Sequence, residues 1–317
     1  MKLLRKPLQP NATLPWEATA SVDAAAAGLP GVSIVMPVFN AGKFIEKTIR
    51  SLLFNDLSGC EIIFMDGGST DETVEVARQY AHLFSKIVSE KDAGQSDAIN
   101  KGFALSSKPI LHWLNGDDIL LPNAITRVRE AFGREPSAHV IVGNAYMTEM
   151  DFTPIKHFKF SRETLTFRHL LDYARNHLVQ PSVFFTRDAW TECGPVGKDL
   201  HYAMDADLFI GMAKKFELFP LDLDVAYSVY HEECKTRERR AESIVELALV
   251  QSAHGGADEC RRTLGVLIAE FNQLKIQLDT GAPGAKRVEV LERRIRALES
   301  EQKKNTEVLM LADFPEQ

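Results

Sequence analysis

VSIVMPVFNAGKFIEKTIRSLLFNDLSGCEIIFMD, residues 32–66, places an amphipathic stretch between two short apolar runs. The runs VSIVM (32–36) and EIIFM (61–65) have the composition and length of strands that are buried on both faces. The apolar residues that share one side of a helix between them are Phe44, Ile45, Ile49, Leu52 and Leu53. Strand, helix and strand in this order predict one unit of a parallel α/β sheet.

The same alternation continues along the chain. Apolar runs recur as KIV (86–88), ILHWL (110–114) and HVIV (139–142), and stretches with helical spacing separate them. Pro122 stands where a further helix would begin. The pattern therefore predicts a mostly parallel sheet that is flanked by helices.

Polar or flexible residues follow four of the first five predicted strands, at 37–40, 66–69, 90–94 and 115–118. Parallel sheets bind ligands beyond the carboxyl ends of their strands, so these residues are expected to form one site. No GxGxxG follows the first strand and no GxxxxGK[ST] is present, which argues against a dinucleotide-binding Rossmann domain and against a P-loop enzyme.

Composition limits the classes of partner. The chain has 317 residues, 45% of them hydrophobic and 26% charged, which allows one large domain with an appendage. A net charge of -7 does not suit a nucleic-acid surface, so we expect no nucleic-acid partner. The four cysteines are far apart in sequence and are expected to be buried thiols of a reducing compartment.

The two ends of the chain differ from the middle in composition. Residues 1–30 lack periodicity and are predicted to be a poorly ordered arm, ahead of a domain at 31–240. The start MKLLRKPLQP has no apolar signal region, and no run of about 18 apolar residues spans a bilayer. We therefore expect a cytoplasmic protein, which leaves peripheral binding at the inner face of the membrane open.

Residues 241–317 are predicted to form a helical tail with two apolar seams, which the breaker TGAPG (280–284) separates. The seam residues are Leu264, Leu267, Phe271, Leu274 and Leu278, followed by Val288, Leu291, Ile295 and Leu298. Each seam is short, so a hairpin that packs on the domain, on a second subunit or on a partner protein is expected. A solvated charged helix is the alternative.

Asp117 and Asp118 follow an apolar strand directly, in HWLNGDDILLP. Adjacent carboxylates repel each other unless a cation or hydrogen bonds intervene. A hard divalent ion with oxygen ligands, Mg²⁺ or Mn²⁺, suits such a pair. An acid pair is also common in turns and helix caps, so its position at a strand end is what favours a metal site.

Seven ordered motifs across residues 31–236 resemble the family-2 glycosyltransferases with the GT-A fold, in particular bacterial polysaccharide and O-antigen enzymes. The motifs are VSIVMPVFN, IIFMDGGSTDET, SEKDAGQSDAINKGF, LHWLNGDD, QPSVFF, MDADLF and YHEECKT. The resemblance implies a GT-A domain with a C-terminal helical appendage, and a metal-dependent hexosyltransferase activity.

The resemblance also implies roles for residues near the donor. Pro37 and Phe39 would lie along the nucleotide base, with Phe39 in place of the more common Tyr. Asp66 corresponds to the carboxylate that binds the base, typically uracil, so a UDP-sugar is expected. Gly67 stands where the family often has a second acid. Asp97 belongs to the motif that approaches the ribose and the pyrophosphate.

Asp92, Gly94 and Asn100 share that motif, and each is of a type that also caps helices. Asp71 is expected to cap a helix and not to bind a ligand. Gln180, in QPSVFF, corresponds to the acceptor side or has a structural role.

By the same resemblance, Asp117 would contact both the ribose and the metal, while Asp118 would be the principal ligand of Mn²⁺ or Mg²⁺. His231, in YHEECKT, corresponds to a late histidine near the metal or the donor phosphates, although a lone histidine is often structural.

MDADLF offers two candidates for the catalytic base. On a helix, Asp205 and Asp207 point in almost opposite directions, because each residue advances about 100°. Asp205 begins the apolar face and is the predicted base, whereas Asp207 is expected to face solvent or cap the helix. Met204 replaces the Glu that the family often has there.

The implied reaction is an inverting transfer from a nucleotide-sugar to a hydroxyl of a glycan or of a lipid-linked saccharide. A sugar-phosphate nucleotidylyltransferase, a retaining transferase and an inactive scaffold domain stay open as alternatives. The first usually carries a Gly-rich loop after its first strand, where this chain has PVFNAGK.

Overall fold

The computed structural model describes residues 6–9, 12–25 and 27–279, apart from the side chains of 277–279. The chain divides into two compact units, residues 1–260 and residues 261–317. The second unit is described as far as residue 279, so the predicted breaker at 280–284 and the second seam lie outside the described residues.

The strands within the described residues are β1 (Val32–Val38), β2 (Cys60–Asp66), β3 (Lys86–Ser89), β4 (Ile110–Trp113), β5 (Ile119–Leu120), β6 (Val140–Thr148), β7 (Pro154–Phe158), β8 (Val183–Thr186) and β9 (Leu218–Val229). The helices are α1 (Ile45–Leu52), α2 (Thr73–Gln79), α3 (Gln95–Ala104), α4 (Ala124–Arg134), α5 (Phe167–Leu171), α6 (Tyr173–Asn176), α7 (Arg187–Cys193), α8 (Met204–Lys215), α9 (Lys235–Glu238), α10 (Arg240–Ala253) and α11 (Ala257–Asp279). Short 3₁₀ turns occupy Ala81–Leu83 and Gln180–Ser182.

One sheet of nine strands, counted over the described residues, has the order β3-β2-β1-β4-β8-β6-β9-β5, with β7 paired to β6. The strands β3, β2, β1 and β4 are mutually parallel, as the alternating pattern predicts. β8 is antiparallel to both β4 and β6, whereas β6 and β9 are parallel. The prediction of a mostly parallel sheet between helices is confirmed, although β5, β7 and β8 form antiparallel pairs.

Two apolar layers cover the sheet, and consecutive residues of β1 serve them alternately. Val35 packs with Ile63 and Trp113 on one face, whereas Ile34 packs with Phe64 on the other. β1 is therefore buried on both faces, and its carboxyl end is held firmly beside those of its neighbours.

Gly102 sets how closely α3 approaches this sheet. A β-carbon at position 102 would lie 2.4 Å from Cγ1 of Val35, so a larger residue would push the helix away from β1. α3 begins after Gly94, and its first residue lines the same cavity as the residues that follow β1 and β2.

The described part of the predicted N-terminal arm is packed, which differs from the expectation of poor order. Leu14 is buried in a cluster with Phe54 and Val229. The carboxylate of Glu17 accepts hydrogen bonds from Nε and Nη2 of Arg50, at 2.8 and 2.7 Å. Arg50 is only 1% exposed, and a buried guanidinium requires such a partner. The order of this stretch thus comes from contacts with distant residues and not from local periodicity.

The predicted boundary at residue 240 also differs from the structure, because α10 belongs to the first compact unit. Ala248 and Val250 are buried, and Nε2 of Gln251 donates to the Leu171 carbonyl at 3.1 Å. The first predicted seam falls within α11. None of the helices in the described part of the chain combines the length and the apolar composition needed to cross a membrane.

Candidate functional site

A cavity of about 750 Å³ opens at the carboxyl ends of β1, β2 and β4. Its walls include the segments 37–41, 67–68 and 115–118. Residues from the loop before α3 and from the segment 233–236 complete it. The cavity thus lies at the strand ends where the sequence predicts a site.

Pro37 and Phe39 line this cavity, and the phenyl ring is strongly exposed at 64%. Asn40 holds the loop in place, with its backbone at a φ of 48°. Its N–H donates to Oγ of Ser69 at 2.8 Å, and its side-chain oxygen accepts from the Thr70 N–H at 2.9 Å. An exposed aromatic ring on a loop that is held on both sides is suited to stacking against a flat ligand.

Asp66, the predicted base-binding residue, does not line the cavity and is 2% exposed. Its carboxylate accepts hydrogen bonds from the Gly68 N–H at 3.2 Å and from Oγ of Ser89 at 2.6 Å. Ser69 donates to it through both its N–H and its hydroxyl. The structure therefore places Asp66 beneath the loop 67–68, which it shapes, and not against the ligand space.

Asp92 occupies the space next to Gly67 and does line the cavity. A β-carbon at position 67 would lie 2.6 Å from Oδ2 of Asp92, so the missing side chain at 67 is what makes room for this carboxylate. Oδ1 of Asp92 accepts from the Gly94 N–H at 2.8 Å. A carboxylate from the loop after β3 thus occupies the space that a side chain at position 67 would fill, a relation that no local pattern reveals.

Asp97, predicted to bind the donor, lies outside the cavity lining as well. It forms ion pairs with Lys198 at 2.6 Å and with Lys101 at 3.1 Å. The hydrogen bond from Lys198 is the main reason why its pKa falls to about 2. It also accepts from the Ala93 N–H at 3.2 Å. Asp97 is therefore engaged by two lysines and by the turn before α3.

Asp71, predicted to cap a helix, contacts the start of α2, although the N-cap position itself is Glu72. The carboxylate of Asp71 accepts from the Thr73 N–H at 3.0 Å, at the first residue of α2, and from the Gly42 N–H at 2.9 Å.

Asp117 and His231 meet at the cavity wall, with 3.0 Å between Oδ2 and Nε2. Phe44 stacks on the imidazole at a centroid distance of 4.2 Å. The hydrogen bond to Asp117 is the main cause that raises the pKa of His231 to about 10. Sγ of Cys234 joins the two, and ligand atoms of all three residues lie within 4.8 Å of one another.

Asp118, the predicted principal metal ligand, also lines the cavity, but it does not belong to this group. Oδ2 of Asp118 accepts from the side-chain amide of Asn115 at 3.0 Å. Burial raises the pKa of Asp118, and the carboxylate of Asp117 adds to the rise. The two acids therefore differ, because Asp118 is engaged within the fold while Asp117 reaches the histidine.

The donor set at Asp117, His231 and Cys234 fits a divalent cation. Carboxylate oxygen and imidazole nitrogen suit Mn²⁺, and a thiolate would extend the set to softer ions. Nδ1 of His231 is buried and has no hydrogen-bond partner among the described residues, so this ring is not committed to the fold at both nitrogens.

Lys235 was not singled out from the sequence, although it belongs to the motif YHEECKT. It lines the cavity, and its Nζ donates to Oε1 of Gln95 at 2.9 Å. Nε2 of Gln95 donates to Oδ1 of Asn115 at 2.8 Å. The amide of Asn115 in turn donates to Gln180 at 3.0 Å. This chain of amides joins the lysine to Gln180, the predicted acceptor-side residue.

Asp205 is the second residue of α8 and is not among the residues that line the cavity. Burial raises the pKa of its carboxyl to about 6, and the negative charge of Glu246 contributes, against a lowering hydrogen bond from the Ala206 N–H. Asp207 was expected to face solvent or cap the helix, but its Oδ1 lies 2.8 Å from Nε2 of His254. The two carboxylates thus have different surroundings, as the helical phase requires.

Comparison with known proteins decides the family. The model for "Glycosyl transferase family 2" matches residues 33–191, half of the chain. The chain belongs to glycosyl transferase family 2. This family-2 match includes Asp66, Asp92 and Asp117, whereas Asp205 and His231 lie beyond it.

Two curated relatives of this family-2 chain come from bacteria. A PGL/p-HBAD biosynthesis glycosyltransferase of Mycobacterium tuberculosis is 27% identical over 182 residues, which cover 56% of this chain and 67% of the relative. The chondroitin synthase of Escherichia coli is 26% identical over 197 residues, which cover 59% of this chain and 27% of the synthase.

Two solved structures share the fold. S. aureus TarS 1-349 in complex with UDP-GlcNAc matches with a TM-score of 0.53 and 15% identity, over 69% of this chain and 66% of that one. The mannosyltransferase PcManGT from Pyrobaculum calidifontis, in complex with GDP-Man and Mn²⁺, matches with a TM-score of 0.54 and 14% identity, over 92% of this chain and 87% of that one. Another S. aureus TarS structure matches over 69% of this chain and 39% of its own length. The family-2 chain therefore has the GT-A fold that the sequence predicts.

Proposed function

We propose that this protein is a glycosyltransferase that binds a nucleotide-sugar, with UDP as the preferred nucleotide, in the cavity at the strand ends. One observation carries the proposal. The cavity combines an exposed aromatic ring and a carboxylate, Phe39 and Asp92, with a carboxylate, an imidazole and an ammonium group from Asp117, His231 and Lys235. The first pair suits a nucleoside, and the second set suits a diphosphate.

The nucleoside would stack on Phe39 and donate hydrogen bonds to Asp92. A carboxylate can accept from the N3–H of uracil, from the N1–H and N2–H of guanine or from ribose hydroxyls, so Asp92 alone does not select between these bases. The complexes of TarS with UDP and UDP-GlcNAc support a uridine nucleotide, while the GDP-Man complex of the mannosyltransferase makes guanine the alternative to test.

The diphosphate would be neutralised by Lys235 and by a divalent cation at Asp117, His231 and Cys234. Bound Mn²⁺ or Mg²⁺ would supply Lewis-acid stabilisation of the charge on the leaving phosphate. Lys235 would orient the same phosphates through its ammonium group, which Gln95 holds.

The transfer itself would be inverting, with Asp205 as the base. Asp205 would take the proton of an acceptor hydroxyl, the oxygen would attack the anomeric carbon, and the bond to the nucleotide diphosphate would break on the opposite face. The raised pKa of Asp205, about 6, suits a base that works near neutral pH. The acceptor would be a hydroxyl of a glycan or of a lipid-linked saccharide, and the similarity to a chondroitin synthase supports the glycan.

A nucleotide screen followed by product analysis tests this function. Calorimetry with UDP, GDP and dTDP in the presence of Mn²⁺ should show the tightest binding for UDP and a marked loss on Asp92→Asn. Equal binding of GDP would refute the uridine preference. Release of a nucleoside diphosphate, with inverted configuration in the product, is expected. Release of pyrophosphate would instead identify a nucleotidylyltransferase, and retention of configuration would exclude Asp205 as the base of an inverting transfer.

A further inference from the structure

The start of α8 is held by a side chain that lies far away in sequence. Ala203 is the N-cap of this helix and offers no side-chain acceptor. The N–H groups of His201, Tyr202 and Ala203 instead donate to the carboxylate of Glu246, at 2.9, 2.6 and 2.6 Å. Unpaired N–H groups at a helix start favour a negative charge, so one carboxylate satisfies three donors there.

Glu246 comes from α10, most of which falls in the helical tail that the sequence predicts at residues 241–317. A second contact between the same helices is the pair of Asp207 and His254 at 2.8 Å. The contacts with Glu246 thus lie just before the first residue of α8, and the contact with His254 lies in the first turn of α8. Asp205 lies between them in the sequence.

We infer that Glu246 is a positioning residue for Asp205, because it fixes the backbone that precedes α8. This inference rests on the proposed function, in which Asp205 is the base. A base must be placed within hydrogen-bond reach of the acceptor hydroxyl, and small displacements of such a group lower the rate strongly. Glu246 does this through the backbone and has no assigned contact with substrate.

The charge of Glu246 has a second consequence. Burial is the largest cause of the raised pKa of Asp205, and the ionisable groups that act on this pKa include Glu246 from α10 and Tyr173 from α6. The negative charge of Glu246 raises the pKa of Asp205, while the Tyr173 hydroxyl lowers it. Removing that charge should therefore lower the pKa of Asp205, so that the base is deprotonated at lower pH and the acid limb of the rate profile moves to lower pH.

Three variants of the full chain test the inference. Glu246→Gln keeps an oxygen acceptor and removes the charge, so the acid limb of kcat/KM should move to lower pH by several tenths of a unit, with a modest loss of kcat. Glu246→Ala leaves the three N–H groups unpaired, and transfer should fall about tenfold to a hundredfold. UDP affinity should stay unchanged in both. Glu238→Gln, at the exposed last residue of α9, is the matched control and should change none of these values.

A readout that needs no activity separates the inference from the proposed function. The pKa of the Asp205 carboxyl can be followed by ¹³C NMR, with Asp205→Asn used to assign its signal. It should be lower in Glu246→Gln than in the wild type. If it is unchanged, and the pH profile of transfer is unchanged too, the inference is wrong while the transferase stands. If the wild type transfers no sugar, the proposed function fails, and the NMR shift still decides whether Glu246 acts on Asp205.

Discussion

Gly67 and Asp92 share a space that only one side chain can fill. A β-carbon at position 67 would lie 2.6 Å from Oδ2 of Asp92, at the wall of the donor cavity. Gly67, directly after β2, therefore leaves the space that the carboxylate of Asp92 occupies from the loop after β3.

This relation predicts that Gly67→Ala weakens UDP binding, because the methyl group displaces Asp92. The loss should be about tenfold or more, comparable to the loss of one charged hydrogen bond. In an Asp92→Ala background the same substitution should have little effect, since the collision is gone. Gly265→Ala, where an added β-carbon meets no atom within 4 Å, is the control. Additive losses in calorimetry would show that the two positions act independently.

The metal should depend on Asp117 more than on Asp118, which reverses the expectation from the motif alone. Asp117→Asn and His231→Ala should each weaken Mn²⁺ binding, followed by electron paramagnetic resonance, because both lose a ligand that faces the cavity. Asp118→Asn should reduce it less, since that carboxylate is bonded to Asn115. EDTA should abolish transfer. A larger loss of Mn²⁺ in Asp118→Asn would restore the original assignment.

Asp205→Asn should abolish transfer and leave UDP affinity nearly intact, because the base acts on the acceptor. It should also raise the melting temperature at pH 8. Burial raises the pKa of this carboxyl from 3.8 to about 6, so the ionised form costs folding free energy above pH 6, and this cost vanishes below pH 4.

Melting curves at pH 4, 6 and 8 check the sign of that prediction, and Asp207→Asn is the matched control. It should retain transfer while losing the contact with His254. An inactive Asp207→Asn beside an active Asp205→Asn would identify the other carboxylate as the base.

The N-terminal stretch should contribute to stability through Glu17. Glu17→Ala removes two hydrogen bonds from the buried guanidinium of Arg50 and should lower the free energy of unfolding by about 2 kcal/mol. Glu217→Ala breaks a surface pair with Arg162, both of whose side chains are more than half exposed, and should cost less than about 1 kcal/mol. Equal effects in urea unfolding would mean that the arm contact is as weak as a surface pair.

Shortening the tail should separate assembly from chemistry. The boundary between the two should lie near residue 260 and not at residue 240, where the sequence places it. A chain that ends at Cys260 keeps α10 and should retain UDP binding and transfer, with a smaller oligomer in light scattering if the tail holds subunits together. A chain that ends at Arg240 lacks Glu246 and should lose transfer. Full activity in the shorter chain would show that α10 is dispensable.

The sequence alone determined the layout of the domain and the edge where its site lies. Apolar runs and helical spacing are local properties, so the β1-α1-β2 unit, the parallel strands beside it and the helix that carries Asp205 follow from residues close together in the chain. The acid pair at Asp117 and Asp118 could be placed at a strand end for the same reason.

Only the tertiary structure decided which polar residues reach the ligand space. Asp66 and Asp97 match donor motifs, yet their carboxylates are taken up by loop N–H groups, hydroxyls and lysines within the fold. Asp92 lies in the space left by Gly67, and Glu246 accepts hydrogen bonds from N–H groups that are distant in sequence. A hydrogen bond or a collision depends on which atoms folding brings together, and residue type and spacing do not specify that.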